Sequence, residues 1–161
     1  MAVLDVVIYP DPVLRAHTKP VTVFDGQLEA LVQDMFDTMV AYQGVGLAAP
    51  QIGVLDKVIV VSFEGRSLPL INPEIITMNG ESIDEEGCLS LPETVIKLKR
   101  ADKITVKAQD IQGHPFTLNE EGFFARIIQH EVDHLNGILF IDNAREVWEM
   151  TADEIEDLQR K

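Results

Sequence analysis

Residues 122–137 read GFFARIIQHEVDHLNG, and their spacing predicts a helix from about Gly122 to Asn136 that Gly137 ends. Phe123, Ile127, His130 and His134 recur at i, i+4, i+7 and i+11, so they share one stripe of that helix. A stripe that begins apolar turns toward the core, and it takes both histidines inward with it. Two imidazoles four residues apart lie one turn apart on a single face, where they can grip one metal ion. Glu131 stands about 100° round the helix from His130. Its carboxylate would lean over the open side of the ion, take a proton from water and pass it to a leaving amine. The competing reading is a hydrogen-bonded pair of core histidines, which the same five-residue pattern permits.

Outward from this stretch the periodicities are simple. Residues 25–43, DGQLEALVQDMFDTMVAYQ, place Leu28, Leu31, Val32, Met35, Phe36 and Met39 at helical spacing, with Asp25 as N-cap and Gly44 as the stop. KVIVVSF (57–63) is a β-branched run and reads as a strand. LPLINPEII (68–76) reads as an extended piece interrupted by prolines, expected near a sheet edge. KITVKAQ (103–109) alternates Ile104, Val106 and Ala108 against Lys103, Thr105 and Lys107, and DIQG (110–113) turns it into a second strand around Phe116 and Leu118. Residues 144–160 are expected to form a short helix, with Trp148, Ile155 and Leu158 near one face. Its other face is acidic, with Glu146, Glu149, Asp153, Glu154, Glu156 and Asp157. Strands bunched between helices predict one α+β domain over 1–161, with mixed, mostly antiparallel sheets around the histidine helix.

Composition removes several classes of function. The chain has 161 residues, 46% of them hydrophobic, which is the size and make-up of one globular domain. No apolar run approaches the ~20 residues that cross a bilayer. The start, MAVLDVVIYPDPVLR, has two Asp and no basic residue before Arg15, unlike a secretory or transit leader, so a cytoplasmic location is expected. Thirteen Lys and Arg against 27 Asp and Glu leave a net charge of -14, a field that repels nucleic-acid phosphates. The single cysteine, Cys88, excludes an intrachain disulfide.

A catalytic ion held by two histidines needs a third protein ligand and a position left open. The metzincin pattern would put another His at 140, but Phe140 stands there. A downstream Glu, the thermolysin solution, would have to come from an acidic tail that reads as a solvated helix face. His17 and His114 lie in turn-like sequence without a supporting pattern. Cys88 is left, inside EEGCLSLPE, with Gly87 before it where backbone approaches something closely. A thiolate lowers the site's charge from that of the bare dication and suits Fe(II) as well as zinc or cobalt.

Three stretches taken together resemble the peptide deformylase family. GVGLAAPQ (44–51) is similar to its motif G-x-G-L-A-A-x-Q, EGCLS (86–90) matches the second motif, and QHEVDHLNG (129–137) matches the third, Q-H-E-x-D-H. The similarity runs from YPDPVLR to GILFID, most of the chain. The resemblance implies a hydrolase that removes the formyl group from N-formylmethionyl chains. Cys88, His130 and His134 would hold one divalent ion, Fe(II) in the cell, with Zn, Ni and Co also accommodated. Glu131 would be the acid and base, and Gln51 with the backbone N–H of Leu89 would hydrogen-bond the formyl oxygen as it gains charge. Gly44, Val45 and Gly46 would line the pocket and pair with the peptide as an added strand, and Gly87 would adjoin them. Phe123, Arg126 and Ile127 are candidates for the methionine pocket, although core packing serves each equally well. Asp133 would support the site, and Glu86 with Arg100 would form a structural pair near the cysteine.

Three departures qualify these expectations. Thr94 and Val95 stand where some relatives carry a basic residue near the peptide cleft, and the stretch between the first two motifs is short. The tail is brief and acidic, so docking on ribosomal RNA through it is not expected, even if the substrate brings the chain near the ribosome. The alternatives carried forward are a related hydrolase with another formyl- or acyl-peptide preference, and a non-catalytic homologue that keeps the fold.

Overall fold

Alternating side chains on one strand separate the two larger of three core clusters, the third being Ile96, Leu98 and Phe140. The computed structural model describes residues 2–142 and the backbone of 148–149. Its elements in chain order are α1 (Gly26–Ala41), β1 (Gly46–Ala48), β2 (Val58–Phe63), β3 (Arg66–Asn79), β4 (Ser82–Cys88), β5 (Leu91–Arg100), β6 (Lys103–Gln109), β7 (Pro115–Glu121), α2 (Gly122–Leu135) and β8 (Trp148–Glu149). On β2, Val58 and Val60 join Leu28, Val32, Met35 and Met39 of α1 in one cluster. Ile59 and Val61 join Phe124, Ile127, Ile128 and Leu135 of α2 in the other. The unbroken run VIVV is therefore a strand covered on both faces. Each of these aliphatic side chains contributes about 1.5–3 kcal/mol by leaving water.

Two antiparallel sheets result, as expected for an α+β fold: five strands in the order β1-β2-β3-β6-β7, and three in the order β4-β5-β8. α2 lies between them. Its apolar side meets the larger sheet, and its polar side meets the β4–β5 hairpin through Arg126, His130 and Asp133, with Gln129 pairing with Ala101 just beyond β5. At the far side of the larger sheet, Asp25 caps α1 by accepting from the N–H groups of Gln27 (3.1 Å) and Leu28 (3.2 Å). Loss of that cap costs about 1 kcal/mol.

Two expectations change, and a third falls almost wholly outside the described residues. β3 is a central strand, third in the five-stranded order, rather than an edge. Each half of it nevertheless has one main neighbour: 66–71 pair with β2, and the ladder to β6 covers 71–79. Pro69 precedes that second ladder, and Pro73 falls in the register shift between Ile71 and Glu74, so neither missing N–H breaks a continuous ladder. The α1 stop is not Gly44: Tyr42 caps the helix and Gln43 takes the left-handed turn at φ 58°. Of the expected acidic helix over 144–161, the described residues include only Trp148–Glu149, whose backbone is strand β8 against Ile96 and Lys97.

Candidate active site

α2 delivers three of the site's side chains and β4 delivers the fourth. His130 and His134 are buried (8% and 1% exposed), as their stripe requires. Cys88 ends β4, just past a register shift between Gly87 and Cys88 that swings it off the regular ladder. Its Sγ lies 3.4 Å from His134 Nε2, and the ligand atoms of Cys88, His130 and His134 all fall within 4.8 Å of one another. Phe140, where a metzincin would carry histidine, instead sets its ring edge-on to His130 at 5.6 Å.

Glu86 governs the orientation of His130. Its Oε1 lies 2.8 Å from His130 Nδ1, which leaves Nε2 as the ring's donor toward the cluster. Arg100 grips the same carboxylate through Nε (2.7 Å) and Nη2 (2.9 Å), and Arg126 Nη1 adds a bond of 2.6 Å. Burial opposes the charge on Glu86, yet the hydrogen bonds from His130 and Arg100 hold its carboxyl well below the usual range. Arg100 Nη1 continues to Asp133 Oδ2 at 2.7 Å. The pair expected from Glu86 and Arg100 is thus part of a larger cluster.

Glu131 is arranged in the opposite way. It is 5% exposed, and its Oε1 has no hydrogen-bond partner. Burial, only partly opposed by His130, pushes its carboxyl up to about 7. Gly46 makes room for it, since a Cβ there would come within 2.5 Å of Glu131 Oε2 and 2.8 Å of Ile127 Cγ2. His134 Nδ1 is likewise buried without a partner. Burial, then the field of His130, holds the His134 imidazole well below its ordinary pKa, so it stays neutral. Among the described residues, these two are the buried side-chain polar atoms left unsatisfied, and both belong to this site. A cation fits here: two imidazoles and a thiol converge, and a neutral His134 has the protonation state a metal ligand needs.

Gln51 is held by its own loop. Its Oε1 accepts from Ala48 N–H at 2.9 Å, which turns Nε2 toward Ser90 Oγ (3.2 Å) and Cys88 Sγ (3.7 Å). The N-terminal segment braces both loops: Val7 N–H donates to the Gln51 carbonyl at 2.7 Å, and Tyr9 N–H to the Ser90 carbonyl at 2.9 Å. Over these groups opens a cavity of ≈ 840 Å³. All the catalytic, substrate and ligand candidates from the sequence line it except His134, which is buried and outside the lining, and Glu86, Thr94 and Val95 line it as well. The close backbone approach expected at Gly87 is absent, since the nearest atom to a Cβ there would be Val95 Cγ2 at 4.0 Å.

Sequence reasoning missed Ile8, Tyr42 and Pro92 at the cavity, Ser90 beside Gln51, and Gln129, whose amide pairs with both backbone groups of Ala101 at 3.0 and 2.9 Å. Ser90 and Gln129 stand within the motifs EGCLS and QHEVDHLNG, which give them no role of their own, while Ile8, Tyr42 and Pro92 reach the cavity from segments that no local pattern singles out.

Residues 3–149 match the family model described as polypeptide deformylase. The chain belongs to the polypeptide deformylase family. Its deformylase relatives include the peptide deformylase of Heliobacterium modesticaldum, 51% identical over 142 residues, with 88% of this chain and 94% of the relative covered. The crystal structure of a peptide deformylase from Legionella pneumophila superposes with a TM-score of 0.86 at 41% identity and covers 99% of each chain. A Met-Ala-Ser-bound class I type b peptide deformylase from Acinetobacter baumannii gives a TM-score of 0.86 at 36% identity, covering 88% of this chain and 98% of that one.

Proposed function

We propose that this chain is a metal-dependent hydrolase that removes the formyl group from N-formylmethionyl nascent polypeptides. The observation that carries the reading is Glu131, a buried and unpartnered carboxylate beside the Cys88, His130 and His134 cluster, at the wall of a peptide-sized cavity. Family membership supports it, as does the relative crystallised with Met-Ala-Ser.

Cys88, His130 and His134 would hold a divalent ion, which when bound supplies a Lewis acid that polarises a carbonyl and acidifies water. The chain's own residues do the rest. Glu131, with a carboxyl near neutrality, takes the proton of the attacking water and returns it to the amine nitrogen as the C–N bond of the formamide breaks. Gln51 Nε2 and the Leu89 N–H donate to the formyl oxygen as negative charge develops on it. β1 is the end strand of its sheet and β4 the end strand of the other, and residues of both line the cavity. An extended peptide would add to these edges beside Gly44, Val45, Gly46 and Gly87. Phe123 and Ile127 supply apolar wall for the methionine side chain, with Arg126 beside them.

Fe(II) is the ion in the cell, in keeping with a thiolate ligand, although the donor set accepts Zn, Ni and Co. The chain works as one catalytic domain in the cytoplasm, and no helix of the described residues is long and apolar enough to cross a membrane. It does not dock on the ribosome through its acidic tail. Salt-sensitive cosedimentation that vanished on deleting 144–161 would overturn that point.

Anaerobic purification, metal analysis and an assay of formate release from formyl-Met-Ala-Ser test the proposal. One ion per chain and steady release are expected, and metal-loaded protein that releases no formate refutes it. Thr94 and Val95 line the cavity where a basic residue is lacking, which favours a shifted peptide preference as the second reading. Comparing kcat/KM on formyl-Met, formyl-Leu and acetyl-Met peptides separates the two.

A further inference from the structure

Arg126 does something that neither a core residue nor a pocket wall requires. It is 2% exposed, and its guanidinium makes four contacts, all on the β4–β5 hairpin. Nη1 donates to Glu86 Oε2 at 2.6 Å and to the Leu98 carbonyl at 2.9 Å, while Nη2 donates to the Ser82 carbonyl at 2.8 Å and Ser82 Oγ at 3.1 Å. Burying a guanidinium among so many acceptors is costly unless its donors are paired, and an apolar side chain would fill the volume more cheaply. The pairing therefore needs a reason beyond packing.

The placement supplies one. Arg126 stands one helical turn before His130 on α2, and Glu86 stands two residues before Cys88 on β4. The other oxygen of Glu86 meets His130 Nδ1 at 2.8 Å. One side chain thus joins the element that carries the two imidazoles to the element that carries the thiol. Arg100 also reaches from the hairpin to α2, but by a single contact with Asp133, whose side chain is 27% exposed.

We propose that Arg126 is a positioning residue for the metal site. It locks the β4–β5 hairpin onto α2, so that Cys88 meets His130 and His134 at ligand distance. By holding Glu86 it also fixes the tilt and tautomer of His130, with Nε2 directed to the ion. This rests on reading Cys88, His130 and His134 as ligands. Lysine at this position would keep the charge but could not reproduce the planar fork that reaches Glu86, Leu98 and Ser82 together.

The test is Co(II) binding by full-length protein, measured by chelator competition and by the Co(II) absorption spectrum. R126K is expected to bind Co(II) about 10- to 100-fold more weakly, with shifted ligand-field bands and a wild-type circular dichroism spectrum. R66K, which alters an arginine paired with Glu120 at the surface, serves as the control and should bind as wild type. Wild-type affinity and bands in R126K would overturn the proposal. Should R126K not fold, Ser82→Ala removes one contact and leaves the buried charges paired. A loss of about two- to fivefold is then expected, and an unchanged affinity refutes the clamp. Because the readout is metal binding, weakened binding in R126K supports the clamp even in a chain that released no formate.

Discussion

Glu86 and Glu131 are both buried carboxylates in the surroundings of His130, and the protein uses them in opposite ways. Both line the same cavity, where Glu86 receives two arginines and an imidazole and stays ionised. Glu131 has one oxygen with no partner and a carboxyl lifted to about 7. The same side chain at the same depth becomes a fixed anion or a proton carrier, according to the donors around it. Stability is concentrated at the first residue and given up at the second.

The largest effect should separate the two by activity. Glu131→Gln keeps shape and burial but removes the proton carrier, so formate release is expected to fall about 10²- to 10⁴-fold while metal content stays the same. If Glu131→Gln retained a tenth of the wild-type rate, the two glutamates would no longer differ in kind. Next in size, Glu86→Ala leaves Arg100 and Arg126 buried without their shared counter-charge. Urea unfolding should register a loss of about 3–5 kcal/mol. A loss below about 1 kcal/mol would show that the cluster does not hold the fold.

The pH dependence sharpens the contrast. A carboxyl raised from 4.5 to about 7 by folding binds more protons in the native state between those values. Metal-free wild type should therefore lose stability relative to Glu131→Gln as pH rises from about 4.5 to 7, by on the order of 3 kcal/mol, and hold level above that. Urea midpoints of both proteins at pH 5 and pH 8 decide it, and parallel profiles would remove Glu131 as the titrating group. Glu86 has the reverse sign: its stabilisation is present above the ordinary carboxylate pKa and fades only in strong acid. The smallest effect belongs to the surface. Arg66 pairs with Glu120 through two bonds of 2.9 and 2.8 Å and covers the Phe124 ring, but it is half-exposed. Arg66→Ala should cost less than about 1 kcal/mol in the same unfolding assay.

Much of this arrangement was legible in the residues. Periodicity placed α1 and β6, because each buries a single regular face; α2 is buried nearly all round, yet its stripe still aimed both histidines inward. The β4–β5 hairpin was not legible. SIDEEGC is acidic and poor in strand formers, and it becomes a strand because Glu86 finds two arginines and an imidazole outside its own strand. The partners of Arg126 were hidden for the same reason: the residues left pocket and core packing open for it, and its acceptors lie 28 to 44 residues away. The central position of β3 was hidden because two prolines and a bulge at Asn72 resemble an edge.

Val7 and Tyr9 each donate a backbone hydrogen bond, one to the loop of Gln51 and the other to that of Ser90. During synthesis Val7 can meet its partner once Gln51 has left the ribosome, Tyr9 only once Ser90 has, and His130 and His134 come later still. The site is therefore braced before its histidines exist. A chain interrupted between Gln51 and α2 would hold the first brace and neither histidine, so the protein can act on other newborn chains only after its own α2 has been made.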